Sequence, residues 1–492
     1  MSESFRVSNR TKWSYSVGGI GRDMAYTLIR MYIMVFFTDA IGLADWEIWA
    51  VSTIIAVTRI WDAVNDPMMG VIIDNTRSRW GKFKPWVIVG AVSSAVFTFL
   101  LFQDFGLRGV PFAVLFATFY LLWEITFTMN DISYWSMYPS FTTNPKERES
   151  ICAFARFFAS LGAFLSAGLI PIIYQNYKGG PVKSFFWISL VITITFILCQ
   201  TLVVVGVKEK PIYADAKQPK TRLRDFIRII TKNDQLIIIF LAFLLLEIAF
   251  AILVTLGPYF FNYDFGRYGG GEFTIFLGIL AVSELLATAL FPTIARKTTR
   301  KQIYNYSTIS IVAGYLLLLS ARYVFPMNMI TIGVAGLVLF GGQAFIMVLM
   351  YLMIADTIEY GHWKLGTRNE SVVFAVRPFA TKFASSIQAL IVAATLTLSG
   401  LNDKVINPLT EAKKIDPSLP TETARAMIES GMTGSMRLSL RITMMVIPIL
   451  FVIVSYLIYR YRYKLDDKFY RQIIGDLEER SIKCRMTNTN QV

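Results

Sequence analysis

The chain has 492 residues, of which 54% are hydrophobic, 14% aromatic and only 17% charged, against about 25% charged in an ordinary soluble domain. With a mean hydropathy of +0.51, it is excluded from the soluble globular class and predicted to cross a lipid bilayer many times. The formal net charge of +14 does not imply a nucleic-acid partner, because Lys and Arg cluster in short loops between apolar runs, as the positive-inside rule requires.

Twelve apolar stretches are each long enough to cross about 30 Å of hydrocarbon. They lie near 15–41, 46–73, 86–103, 110–138, 150–175, 184–206, 234–262, 272–294, 302–322, 328–355, 371–399 and 437–461. Backbone groups in lipid must be satisfied internally, so each is a helix and the fold class is all-α. The first 12 residues are polar and the first apolar run is too long for a signal peptide. Basic residues mark one side: Arg6, Arg10 and Lys12, the loop Arg77 to Lys84, Lys146 and Arg148, the 207–233 segment, Arg296 to Lys301, Lys364 and Arg368, and the tail from Arg460. Both termini are therefore expected in the cytoplasm. The expected domains are a six-helix bundle over 1–206, a linker at 207–233, a second six-helix bundle over 234–462 and a tail at 463–492. Residues 420–430 are expected to form a short external surface helix.

The two halves echo each other. Glu149-Ser150 precedes Arg156-Phe157-Phe158-Ala159-Ser160, and Glu370-Ser371 precedes Arg377-Pro378-Phe379-Ala380-Thr381. The basic loop at 77–84 has a counterpart at 296–301. Two matches in corresponding places predict a duplicated six-helix unit, which suits a transporter with its site between the halves. Cys152, Cys199 and Cys484 show no disulfide or metal spacing, and the single histidine, His362, falls in a predicted loop.

Charges inside the spans carry the functional information. A carboxylate at the bilayer centre costs roughly 2.5–3.5 kcal/mol, so it is paired or functional. Asp62 and Asp66 lie four apart on one face of the second span, and Glu124, Thr128 and Asp131 form one stripe on the fourth, extended by Trp135. Asp23 and Arg30 share a face of the first span. Arg377 and Lys382 are on adjoining faces of the eleventh. Arg59, Glu247 and Glu284 are expected to neutralise other charges in the bundle. Carboxylates with a hydroxyl suit a small hard cation, and a buried carboxylate could instead carry H+. An indole beside an acid and an arginine suits a sugar.

At these residues the chain resembles the glycoside–pentoside–hexuronide:cation symporters, a branch of the major facilitator superfamily whose best-known member is the melibiose permease. The pieces that carry it are G-x-G-R-D at 19–23, RIWDAVNDPMMG at 59–70, TRSRWGKFKPW at 76–86, DISYWS at 131–136, RFFASL at 156–161 and ADTIEYG at 355–361. The resemblance implies a major facilitator fold and a cation site at Asp62, Asp66 and Thr128, able to take Na+. It implies a sugar site at Asp23, Asp131, Trp135 and Arg156, with Lys382 between the two. It makes Arg59 a gating arginine and ties the loop acids Asp356 and Glu359 to conformational coupling. The basic loop, with Arg77, Arg79, Lys82 and Lys84, is expected to close the inward side through Asp74, Glu149 or Asp356.

The chain also departs from that pattern. Glu124 stands where melibiose permease has a small residue, so it is expected to add a cation ligand or a proton site. Arg30 replaces an aromatic residue and Arg377 a neutral amide. Two extra cations predict a uronic-acid-containing substrate, because carboxylates suit arginine's bidentate fork. The expected activity is alternating-access import of an anionic mono- or oligosaccharide with Na+ or H+, by a functional monomer in a bacterial inner membrane, with no other cofactor. The alternatives are a neutral-glycoside symporter, a sodium-dependent lysolipid symporter, or a transporter-derived sensor. No nucleophile motif or metal cluster supports an enzyme.

Overall fold

The computed structural model describes residues 7–142, 144–208, 223–266, 271–409, 412 and 420–489. Among them the long elements are α1 (Asn9–Val35), α2 (Asp45–Asn75), α3 (Lys84–Leu101), α4 (Val110–Met137), α5 (Pro145–Asn176) and α6 (Pro181–Gly206). A short helix α7 (Leu223–Lys232) follows within the expected linker, then α8 (Asp234–Tyr259), α9 (Glu272–Lys297), α10 (Arg300–Ser320), α11 (Met329–Leu365) and α12 (Glu370–Leu398). The chain ends with α13 (Thr421–Gly431), α14 (Gly434–Arg441), α15 (Ile447–Arg462) and α16 (Asp467–Thr489). Helices α14 and α15 are joined by a π-turn at Ile442–Val446 and make the twelfth crossing. Helix α13 matches, within one residue, the short helix expected at 420–430.

Ten of these crossings are long and apolar enough to span a membrane by composition alone. Helices α1 and α2 are as long, at 27 and 31 residues, but Arg22, Asp23 and Arg30 on one and Arg59, Asp62 and Asp66 on the other lower their hydropathy. Lipid-facing surface is plain on α6, where Val191, Leu198, Leu202 and Val205 are all exposed. Exposed apolar side chains at this density mark contact with an apolar solvent.

The helices α1 to α6 pack on one another, chiefly through α1 with α5 and α6 and α3 with α4 and α6. Helices α8 to α12 and α15 do likewise, and the two groups meet where α2 packs on α12 and α5 on α9. Close approach relies on glycine: a Cβ on Gly162 of α5 would lie 2.2 Å from the Ile20 carbonyl oxygen of α1, and one on Gly90 of α3 would lie 2.6 Å from the Asn130 amide nitrogen of α4. Small residues let helices approach in lipid, where packing rather than hydrophobicity drives association.

Several helices outrun their apolar stretches, because the extra turns lie in ion-paired ends that hydropathy does not register. Helix α11 continues ten residues past the expected 355 and stops at Gly366, whose φ of 73° gives a left-handed cap. His362, Asp356 and Glu359 are therefore helical, not in a loop. The expected tail carries helix α16, Asp467–Thr489. Its Leu465, Ile473 and Leu477 bury against Tyr360 at the end of α11. The first residues of α1, the 77–84 loop, the start of α5, the end of α11 and α16 all gather at one end, here the terminal face: Lys12 reaches Ser150, and the Val7 amide donates to Glu147 at 3.2 Å.

Candidate functional site

Midway along the bundle, α2, α4 and α12 converge on Asp66, which is fully buried. Its carboxylate accepts from Thr128 Oγ1 at 3.3 Å and from Lys382 Nζ at 3.1 and 3.2 Å. The lysine ammonium thus sits against the carboxylate expected to hold the cation. The Asp62 side chain lies outside the described residues. Glu124 is buried one turn along α4 from Thr128 and receives the Tyr120 hydroxyl. Among the described residues no group of three or more His, Cys, Asp or Glu side chains could hold a metal ion. Asp66 and Thr128 bring oxygens together here that suit a small hard cation.

One turn along α4, Asp131 is the hub of a second cluster. Arg22 Nη1 donates to it at 2.8 Å, and Arg377 Nη2 pairs with its other oxygen. Arg22 also holds Asp23, at 2.5 Å. The Trp135 ring is buried, with the Arg22 and Arg377 guanidiniums 5.0 and 5.6 Å from its centroid. Such stacking is favourable to a cation and is stronger when desolvated. The repeat-related arginines then meet at one hydroxyl: Tyr351 Oη accepts from Arg156 at 3.3 Å and from Arg377 at 3.0 Å. Arg156 continues to Glu284 at 2.6 Å, where Ser160 also donates at 2.7 Å. The buried Nε atoms of Arg156 and Arg377 and the Trp135 Nε1 make no hydrogen bond among the described residues.

A cavity of about 240 Å3 lies beside Arg156 and Tyr351 between α5, α8 and α11, where Glu247 and Gln343 line it.

Two expectations need correction. Arg30 does not share its Asp23 with the cluster; it is exposed and stacks on Tyr26 at 5.2 Å, and Arg22 takes Asp23 instead. Arg377 is not a spare cation, since Asp131 meets it. Seven-residue spacing placed Asp23 and Arg30 on one face, but the adjacent Arg22 turns inward between α1 and α4 and reaches both acids.

At the terminal face a buried ion network ties the two helix groups together. Arg148 of α5 bonds Glu359 at 2.9 Å and Asp356 at 3.4 Å, with all three side chains fully buried. Arg300 of α10 meets Glu149 at 3.2 Å and also Asp356. Lys82 bridges Asp74 at 2.7 Å and Glu370 at 2.5 Å, and Asp74 caps α12 by accepting from the Ser371 and Val372 amides at 3.1 and 3.0 Å. Burial opposes the Lys82 charge, but Asp74 and Glu370 outweigh it and raise its pKa above the usual value. Each repeat glutamate is thus met by the basic segment of the opposite half. Tyr470 of α16 adds its hydroxyl to Arg148 at 2.9 Å.

Within the basic loop Lys82 bridges to acids of both halves, Arg77 donates to the Asp74 and Thr76 carbonyls, Arg79 is exposed, and Lys84 opens α3. Glu149 and Asp356 are held by Arg300 and Arg148 instead. The sequence reading used Arg148, Arg300 and Arg368 only as markers of orientation. The repeat could have flagged them, because they adjoin Glu149, Glu370 and the second basic segment.

The pattern of one family, described as MFS/sugar transport protein, matches residues 14–467. A lactose permease of Leuconostoc lactis is 28% identical over 499 residues, covering 97% of this chain and 73% of the permease. A raffinose carrier protein of Pediococcus pentosaceus is 28% identical, over 96% and 72% of the two chains. An isoprimeverose transporter of Lactiplantibacillus pentosus is 27% identical, over 79% and 80%. Among solved structures, the proton:xylose symporter XylE superposes with a TM-score of 0.62 over 92% of this chain and 95% of its own, at 12% identity. At that identity the likeness is one of fold, and the fold is that of the major facilitator superfamily.

Proposed function

The chain belongs to the MFS/sugar transport protein family, and from that premise we propose that it is a cation-coupled sugar symporter of the glycoside–pentoside–hexuronide type. It is a multi-pass membrane transporter, not an enzyme. The observation that carries the coupling is that α4 and α12 each serve both clusters. Helix α4 offers Thr128 to Asp66 and Asp131 to the arginines; helix α12 offers Lys382 to Asp66 and Arg377 to Asp131. A cation arriving at Asp66 competes with Lys382, so α12 is released there and re-set at Arg377. Sugar binding at Asp131 acts back on Asp66 by the same free energy, since linkage is reciprocal.

In this proposal the coupling ion is Na+ or H+, and the six-helix halves of a monomer rock about the central clusters. The termini face the cytoplasm of a bacterium, so the ion-paired terminal face is the inward gate. Asp62, Asp66 and Thr128 serve the ion, while Asp23, Asp131, Trp135, Arg156, Arg377 and Lys382 serve the sugar. The substrate is first a neutral glycoside, because the site's guanidiniums already face carboxylates.

The test is accumulation in vesicles under imposed Na+, Li+ and H+ gradients, run against a panel of glycosides. One ion should drive uptake; Asp66→Asn should abolish that accumulation and leave sugar exchange. Gradient-driven accumulation by Asp66→Asn at the wild-type level would overturn the ion assignment.

An acidic glycoside is the second reading, supported by the unmatched Nε donors of Arg156 and Arg377. Its carboxylate would replace Asp131 on Arg377. Arg377→Gln then lowers uptake of an acidic glycoside at least tenfold more than that of its neutral counterpart. Equal losses refute it.

A further inference from the structure

Among the described residues, the resemblance-derived sugar residues and the 240 Å3 cavity share Arg156, and the rest of the cavity lining needs its own account. Helix α8 presents Glu247 and Phe250, and α11 presents Gln343, Met347 and Tyr351, to the space beyond Arg156. A smaller adjoining cavity of about 30 Å3 shares Arg156, Gln343 and Met347 and reaches Glu284. On α11 the spacing of Gln343, Met347 and Tyr351 is i, i+4, i+8, one straight stripe. The lining therefore has two characters: apolar faces from Phe250 and Met347, and hydrogen-bonding groups from Glu247, Gln343 and Arg156. A pyranose has the matching pair, with C–H faces that pack on apolar side chains and a rim of hydroxyls that donate and accept. Gln343 Oε1 and Arg156 Nε are buried and make no hydrogen bond among the described residues, and buried polar atoms of this kind call for a partner.

Size narrows the occupant. Pockets for drug-sized ligands run from roughly 300 Å3 upward, and 240 Å3 suits one sugar ring rather than a whole oligosaccharide. The Asp131–Trp135 cluster lies on the other side of Tyr351, whose hydroxyl both arginines hold. We propose that this cavity is a second glycosyl subsite, in which Glu247 and Gln343 read the hydroxyls of the sugar unit next to the one held at Asp131 and Trp135. The substrate class is then a disaccharide or longer glycoside. This rests on the glycoside reading above and deepens it.

The test compares kinetics in vesicles for wild type, Glu247→Gln, Gln343→Leu and Met347→Trp. The probes are lactose, raffinose and isoprimeverose, each set against the methyl glycoside of its non-reducing sugar. For whichever pair the wild type carries, KM for the longer sugar should rise at least tenfold in the Glu and Gln variants. KM for the methyl glycoside should stay within twofold. Met347→Trp fills the cavity and should block the longer sugar while sparing the short one, which also shows that the variant is folded. Parallel losses for both probes, or a wild-type KM that is the same for both, overturn the subsite and leave glycoside transport standing. A wild-type protein that accumulates none of the probes overturns the glycoside reading and the subsite with it.

Discussion

Arg148 is the side chain whose loss should most change which face of the transporter is open. It is fully buried, and it joins α5 to Glu359 and Asp356 of α11 and to the Tyr470 hydroxyl of α16. Its Nη2 also donates to the Pro139 and Thr142 carbonyls, each at 3.2 Å. Removing one member of a buried ion pair costs about 3–5 kcal/mol, because the remaining charge is left in a low dielectric. Here Glu359 keeps Arg368 at 3.1 Å and Asp356 keeps Arg300, so Arg148→Gln belongs at the lower end, about 3 kcal/mol. That loss falls on the state closed at the terminal face, and at about 1.4 kcal/mol per decade it raises the open fraction about a hundredfold. The assay is maleimide labelling of Ala295→Cys, buried at the end of α9, with Cys152, Cys199 and Cys484 replaced by serine. The labelling rate should rise about a hundredfold in Arg148→Gln. Adding Glu359→Gln removes the carboxylate that has lost Arg148 and should recover part of the wild-type rate, since deleting both partners of a buried pair is milder than deleting one. An unchanged rate in the single variant, or no recovery in the double, would refute the gate.

Tyr470→Phe removes only the hydroxyl that receives Arg148, and a hydrogen bond to a charged group contributes about 1.5–3 kcal/mol. Labelling of Ala295→Cys should rise roughly tenfold to a hundredfold, with α16 still packed by Ile473 and Leu477; equal labelling would show that the tail helix does not steady the gate. Gly162→Val should lower the detergent melting temperature by several degrees, because its Cβ would collide with the Ile20 carbonyl and overpacking costs about 1–3 kcal/mol. A melting temperature equal to wild type would mean that α1 and α5 are not held this close.

What the chain reveals locally was legible in it. Charged residues stand out against apolar runs, and the repeat marked Glu149 with Glu370, each ion-paired at the terminal face, and Arg156 with Arg377, which meet at Tyr351. Spacing within one helix also placed Thr128 and Asp131 correctly on one side of α4. It could not give the partner of Asp23, which is the adjacent Arg22, because helical phase says which residues share a face but not which neighbour each side chain meets.

The sequence by itself therefore determined a multi-pass membrane protein built of helices, and many of the charges that its spans must hold. Lipid offers no hydrogen bonds and charges a high cost for isolated ions, so composition alone enforces those features. Only the tertiary structure decided the partners. Arg148 meets Glu359 across 211 residues of chain, Arg377 meets Asp131 across 246, and Lys82 meets Glu370 across 288. Pairing at that range is set by how α2, α5, α11 and α12 pack, and no periodicity within a helix carries it. The cavity beside Glu247 and Gln343 has the same origin, a space left between helices rather than a motif within one.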